Sequence, residues 1–171
     1  HQPDMATVMP IFVDGKIFSW IGASGHQLDT GGMDPGGFSI KAVNVHQEGL
    51  RMPPVKLVEK GNPREDVLRW ILNQVRDPLV GLDIRGQLAA LNVGRRRLLE
   101  LIDKWGADTL RVVMKRSIEE AREKLKARLR QLPDGTWRDI QYIDHDGHRD
   151  DIYQIICTMT KKNDRLTFDF T

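Results

Sequence analysis

Apolar and polar positions alternate most regularly near the start of the chain. Residues 5–13, MATVMPIFV, and 16–23, KIFSWIGA, are β-prone runs separated by Asp14-Gly15. Asp-Gly between two such runs favours a tight two-residue turn, so the pattern predicts a β-hairpin. With Val13 opposite Lys16, a regular ladder carries Asp4 to Gly25 and Pro3 to His26. Pro10 cannot donate to the ladder and suits an edge or a bulge. One extra residue there would bring Asp4 and His26 onto the same face.

Between residues 22 and 37 the composition turns to Gly, Ser, Asp and Pro, with pairs at Gly31-Gly32 and Gly36-Gly37, which predicts a long ordered loop. Short strands are expected at 38–46 and 54–58. Asn62-Pro63 reads as a helix cap followed by a first-turn proline, and Val67, Leu68, Ile71, Leu72 and Val75 form its apolar stripe before Asp77-Pro78. A second helix is expected over 79–105, closed by Gly106. A third starts near Asp108, with Leu110, Met114, Ile118, Ala121, Leu125, Leu129 and Leu132 spaced by threes and fours until Pro133-Asp134-Gly135. Strand-like runs follow at 136–143, 151–160 and 165–170. Strands, then helices, then antiparallel strands indicate an α+β fold rather than βαβ units. The expected organisation is one segment in three parts: a hairpin with loops over 1–60, helices over 61–133, and antiparallel strands over 134–171.

At 171 residues, with 40% hydrophobic and 29% charged positions, the chain has the composition of a folded domain. A net charge of +2 is too small to imply a polyanionic partner. Arg95-Arg96-Arg97 and the basic positions over 115–130 are interleaved with Glu119, Glu120 and Glu123 and lack stacking aromatics, so a solvated helix face is expected and a nucleic-acid groove is not. No apolar stretch approaches the roughly 20 residues of a membrane span. The single Cys157, inside Ile155-Ile156-Cys157, suits a buried thiol in a reducing compartment, so the cytoplasm is the expected location. The chain begins without Met, inside a candidate site, and ends in a strand. It is therefore expected to be a segment of a larger subunit.

The chain says His-Gln-x-Asp twice: His1-Gln2-Pro3-Asp4 and His26-Gln27-Leu28-Asp29. Imidazole and carboxylate together suit a first-row divalent cation such as Zn or Mn. The same groups also suit strand-end turns, with Asp29 bonding the amides of its Gly-rich loop. His46 and Glu48 are further candidates, as an extra ligand or a proton shuttle, set against a plain strand-end role. His145 and His148, within DHDGHRD, read as parts of a solvated turn. Neither GxGxxG nor a P-loop is present, so ATP, if used, belongs to another polypeptide.

Taken together, HQPDMATVMPIFVDGKIFSW, GHQLDTGGMDPGG, EGLRMPPVKLVEKG, DIRGQLAALNVGRRRLLELIDKWG, LPDGTW and RLTFDFT resemble the hydantoinase B family over nearly the whole chain. That family includes the second subunits of ATP-dependent hydantoinases, the C-terminal half of 5-oxoprolinases, and the larger subunits of acetone and acetophenone carboxylases. The resemblance implies a divalent metal held by His1, Asp4 and His26, with Asp29 orienting an imidazole. HQPD followed by HQLD, with FSWIG and GTWRDIQYID, is most similar to the ketone carboxylases, while EGLRMPPVKL is common to the wider family. The mixture implies an acetophenone-type ketone carboxylase subunit, using bicarbonate or carbon dioxide. A hydantoinase A-like partner would use ATP and Mg. The alternatives are a subunit of a hydantoinase or 5-oxoprolinase opening cyclic amides, and a non-catalytic assembly subunit.

Overall fold

The computed structural model describes residues 4–171. The chain divides into two units, His1–Lys104 and Trp105–Thr171.

The first unit opens with the hairpin, β1 (Asp4–Val13) and β2 (Lys16–His26). Asp14 and Gly15 take φ of 49° and 73°, the left-handed values that a two-residue hairpin turn needs at both central positions. The ladder pairs Val13 with Lys16 and Phe12 with Ile17, then resumes at Ile11 with Ser19. The irregularity therefore lies on β2 at Phe18, not at Pro10, which pairs with Trp20 inside the regular ladder. Every strand of a two-stranded sheet is an edge, where proline is tolerated, and the displaced Phe18 ring is buried. The slip of one residue sets Asp4 directly opposite His26 and Met5 opposite Gly25. It also extends β2 through Gly22 and Gly25, positions the composition had assigned to the loop.

From residue 27 to 57 the chain is irregular apart from a single 3-10 turn at Val45–Gln47, so the strands expected at 38–46 and 54–58 do not form. A two-residue ladder joins β3 (Val58–Glu59) to β4 (Asn62–Pro63) across Lys60 and Gly61, both at positive φ. This pairing takes the residues expected to start the first helix. That helix, α1 (Glu65–Gln74), begins after Arg64, which has no side-chain cap; Glu65 and Asp66 face the helix N-terminus instead. Arg64 grips Asp66 through Nε and Nη2 at 2.9 and 2.7 Å, and this pairing holds the Asp66 carboxyl down at about 2.

Leu68 and Ile71 of α1 pack with Val80 and Ile84 of α2 (Val80–Trp105) in a buried cluster. Met5 from β1 and Leu50, Met52 and Leu57 from the irregular stretch close over it. Gln87 of α2, buried on the same side, accepts from the Thr7 hydroxyl at 2.6 Å and donates to the Met5 carbonyl at 3.2 Å. The open end of the hairpin is thereby fixed to the helix by contacts one and three residues from Asp4.

In the second unit, α3 (Ala107–Arg130) follows Gly106, whose φ of 83° admits the break after α2. Its predicted stripe is largely exposed: Leu110 and Leu129 are buried, whereas Met114, Ile118 and Leu125 are not. Lys115–Glu119 and Lys126–Glu123 pairs on its surface fit the solvated face expected from the interleaved charges. Strands β5 (Gly135–Ile143), β6 (Tyr153–Lys162) and β7 (Arg165–Asp169) form an antiparallel sheet in chain order. The nearly buried Lys161 donates at 2.6 Å to both the Leu132 carbonyl and Asp134, fastening the turn that follows α3. Cys157 is half-buried rather than buried, opposite Asp139 in the sheet. Asp146 accepts from the amides of His148 and Arg149 and from the Tyr153 hydroxyl, which makes DHDGHRD a self-bonded turn.

Candidate functional site

At the open end of the hairpin, the Asp4 and His26 side chains meet, with Oδ1 2.9 Å from Nδ1. An ionised carboxylate only accepts, so the Nδ1 proton is donated to Asp4 and the lone pair of a neutral ring lies on Nε2. Both side chains are substantially exposed, at 67% and 49%. Phe38 stacks on the imidazole with ring centroids 5.5 Å apart and planes 25° from parallel. His1, the third expected ligand, lies outside the described residues. Among the described residues no group of three or more His, Cys, Asp and Glu converges on a cation position. An ion taking the place of the Nδ1 proton would meet a carboxylate oxygen of Asp4 and an imidazole nitrogen of His26 2.9 Å apart, a set that suits Zn or Mn.

Asp29 serves its own loop. Its carboxylate accepts from the Gly31 and Gly36 amides at 2.8 and 2.7 Å and from Arg76 Nη1 at 3.1 and 3.0 Å. Arg76 also donates to the carbonyls of Asp34 and Gly32 at 2.9 and 2.7 Å. The amide-bonding alternative for Asp29 is the arrangement observed, with an arginine from beyond α1 added. Burial on its own would raise the Asp29 pKa; the two amides and the guanidinium outweigh it and bring the carboxyl below its ordinary range. A depressed folded-state pKa contributes stability above the unfolded value that is lost as pH falls through the folded one. Loop amides such as Gly31 and Gly36 are therefore expected to lose hydrogen-exchange protection below the usual carboxylate range while helix amides keep theirs. Asp29→Asn should remove that acid step.

A second connection ties the loop to residues 45–51. The Met33 amide bonds the Gln47 carbonyl at 2.9 Å, and the Leu50 amide bonds the Thr30 carbonyl at 2.8 Å. Gly49 packs so closely that a Cβ there would stand 2.9 Å from the Thr30 carbonyl oxygen. His46 and Glu48 line a groove of about 560 Å³ here with Arg51 and Trp70. Arg51 Nη1 is 3.2 Å from His46 Nδ1; a guanidinium only donates, so His46 accepts at Nδ1 and carries its proton on Nε2.

Three residues that shape the site went unmarked in the sequence reading. Arg76 stood only as the residue before a helix stop, Phe38 as the start of a strand, and Gln87 as one more polar position on a long helix. Asp29, just before the pairs Gly31-Gly32 and Gly36-Gly37, was the available signal of a carboxylate that gathers this loop.

Residues 1–171 match the family model described as Hydantoinase B/oxoprolinase. The caprolactamase subunit beta of Pseudomonas jessenii is 35% identical over 149 residues, 86% of this chain and 26% of that protein. The acetophenone carboxylase delta subunit of Aromatoleum aromaticum is 28% identical over 174 residues, 100% of this chain and 25% of that subunit. The crystal structure of the ATP-dependent caprolactamase from P. jessenii superposes with a TM-score of 0.87 at 32% identity, covering 98% of this chain and 29% of that one. The chain thus spans about a quarter of the length of these curated relatives.

Proposed function

Because the chain belongs to the hydantoinase B/oxoprolinase family, we propose that it forms the metal-bearing part of a subunit in an ATP-dependent ketone carboxylase. The observation that carries this reading is the contact between Asp4 and His26 at the hairpin mouth. Together with His1 they would hold one Zn or Mn ion. A bound cation of this kind acts as a Lewis acid, stabilising charge that develops on a carbonyl or carboxyl oxygen by several kcal/mol.

The chain's own residues have distinct tasks in this reading. Asp4 Oδ1 and His26 Nδ1 would ligate the ion together, in place of the proton they share in the metal-free chain, and Phe38 limits rotation of the ring. Gln87 keeps the end of β1 against α2. His46, with its proton on Nε2, and Glu48 stand in the groove beside the 27–37 loop as candidates for moving a proton. ATP and Mg would be handled by a hydantoinase A-like partner, and the substrates would be a small ketone and bicarbonate. The multisubunit relatives support an assembly of this kind.

A second reading, ATP-dependent hydrolysis of a cyclic amide, is favoured by the 35% identity to a caprolactamase subunit. Both readings ask the site to act on a carbonyl compound after ATP-dependent activation, and they diverge in what attacks or is attacked. Supplying the assembled complex with ATP and either a ketone plus labelled bicarbonate or a lactam, hydantoin or 5-oxoproline decides between them. ATP-dependent incorporation of label into an acid is expected. Ring opening without incorporation would replace the first reading by the second.

A further inference from the structure

We infer that the Arg76–Asp29 clamp is a positioning device for His26, acting by closing the 27–37 loop so that Phe38 returns to stack on the imidazole. The inference rests on the reading of His26 as a metal ligand. Its physical basis is the path of the chain. His26 ends β2, and the eleven residues that follow are irregular and glycine-rich, with Gly31, Gly32, Gly36 and Gly37 all at positive φ. Such a segment has high conformational entropy when released and does not by itself hold its two ends together.

One guanidinium gathers it. Arg76 reaches the Asp29 carboxylate and the carbonyls of Gly32 and Asp34, while the same carboxylate takes the Gly31 and Gly36 amides. The backbone amide of Asp77 adds a contact to the Asp29 carbonyl at 3.4 Å. The loop is thereby fixed from Asp29 to Gly36, and Phe38, two residues on, lies over the ring of His26. Arg76 touches neither His26 nor Asp4 in any of its hydrogen bonds; its effect passes through the backbone it holds. A lysine at this position would keep the charge without the fork that serves three acceptors at once.

The test uses the metal-free chain first. Nuclear magnetic resonance of the His26 ring protons reads the ring-current shift imposed by Phe38, and Phe38→Leu gives the value for a ring without Phe38 over it. Arg76→Ala and Arg76→Lys are expected to move the His26 signals most of the way to the Phe38→Leu value, while amide signals of α2 stay unchanged. Asp29→Asn, which keeps the side-chain shape, should produce a smaller movement in the same direction and guards against a failure of the arginine variants to fold. Titration with Zn or Mn should then show affinity reduced by about 10–100-fold in Arg76→Ala, the range seen when a residue supporting a metal ligand is lost. His26 signals unchanged in the folded arginine variants would overturn the inference. A parent chain that binds no metal while its ring signals respond as expected would remove the metal reading and leave the positioning role intact.

Discussion

Asp4→Ala and His26→Ala are each expected to abolish retention of Zn or Mn by the chain while leaving its secondary structure and melting temperature close to those of the parent. The two side chains are exposed enough that the fold does not depend on them, and among the described residues they hydrogen-bond each other. Removing a direct ligand should cost more than the roughly 10–100-fold in affinity associated with a supporting residue. Elemental analysis after dialysis, read beside circular dichroism, checks both halves of the expectation. On the proposed carboxylase reading, carboxylation by the assembled complex should fall with the metal content while ATP turnover by a partner continues. Metal content equal to the parent's in both variants would remove Asp4 and His26 from the site.

The second large effect is on stability. Ile71 is fully buried at the centre of the cluster with Leu68, Val80 and Ile84, where it joins α1 to α2 beneath the segment that carries Leu50 and Met52. Ile71→Ala should cost about 2–5 kcal/mol, combining lost transfer energy with the cavity left behind. Leu82→Ala, at a position of α2 that is 67% exposed, should stay within about 0.5 kcal/mol. Urea denaturation of the two variants against the parent reads the difference. Equal midpoints for the two variants would contradict the placement of this core.

The parts of the fold set by short-range physics were legible in the sequence. The Asp14-Gly15 turn, the helix from Val80 to Trp105 despite three glycines, and the break at Gly106 follow from local conformational preference and periodicity, and all three stand in the structure. The position of the bulge was not legible, because it is decided by burial of the Phe18 ring, a tertiary effect that outweighs the local signal of Pro10. The start of α1 was misplaced for a similar reason: Asn62-Pro63 has the chemistry of a helix cap, yet it is drawn into a ladder across Lys60-Gly61.

The candidate site divides along the same line. The repeated His-Gln-x-Asp and the hairpin signal were enough to bring Asp4 and His26 together, although their direct opposition required the slip at Phe18. The role of Asp29 depended on Arg76, 47 residues away, and no periodicity or spacing connects the two. Phe38 is placed over the imidazole by the return path of a glycine-rich loop, which sequence patterns do not encode. Arg51 beside His46 is nearer in sequence, but the 3-10 turn capped by Asn44 is what presents it.

The most direct test is anomalous X-ray diffraction at the Zn or Mn edge on metal-loaded crystals of the chain or its complex. A single peak, with the His1, Asp4 and His26 side chains at about 2.0–2.2 Å from the ion, is the predicted result. A peak elsewhere, or these side chains turned away from one another in the loaded protein, would contradict the account.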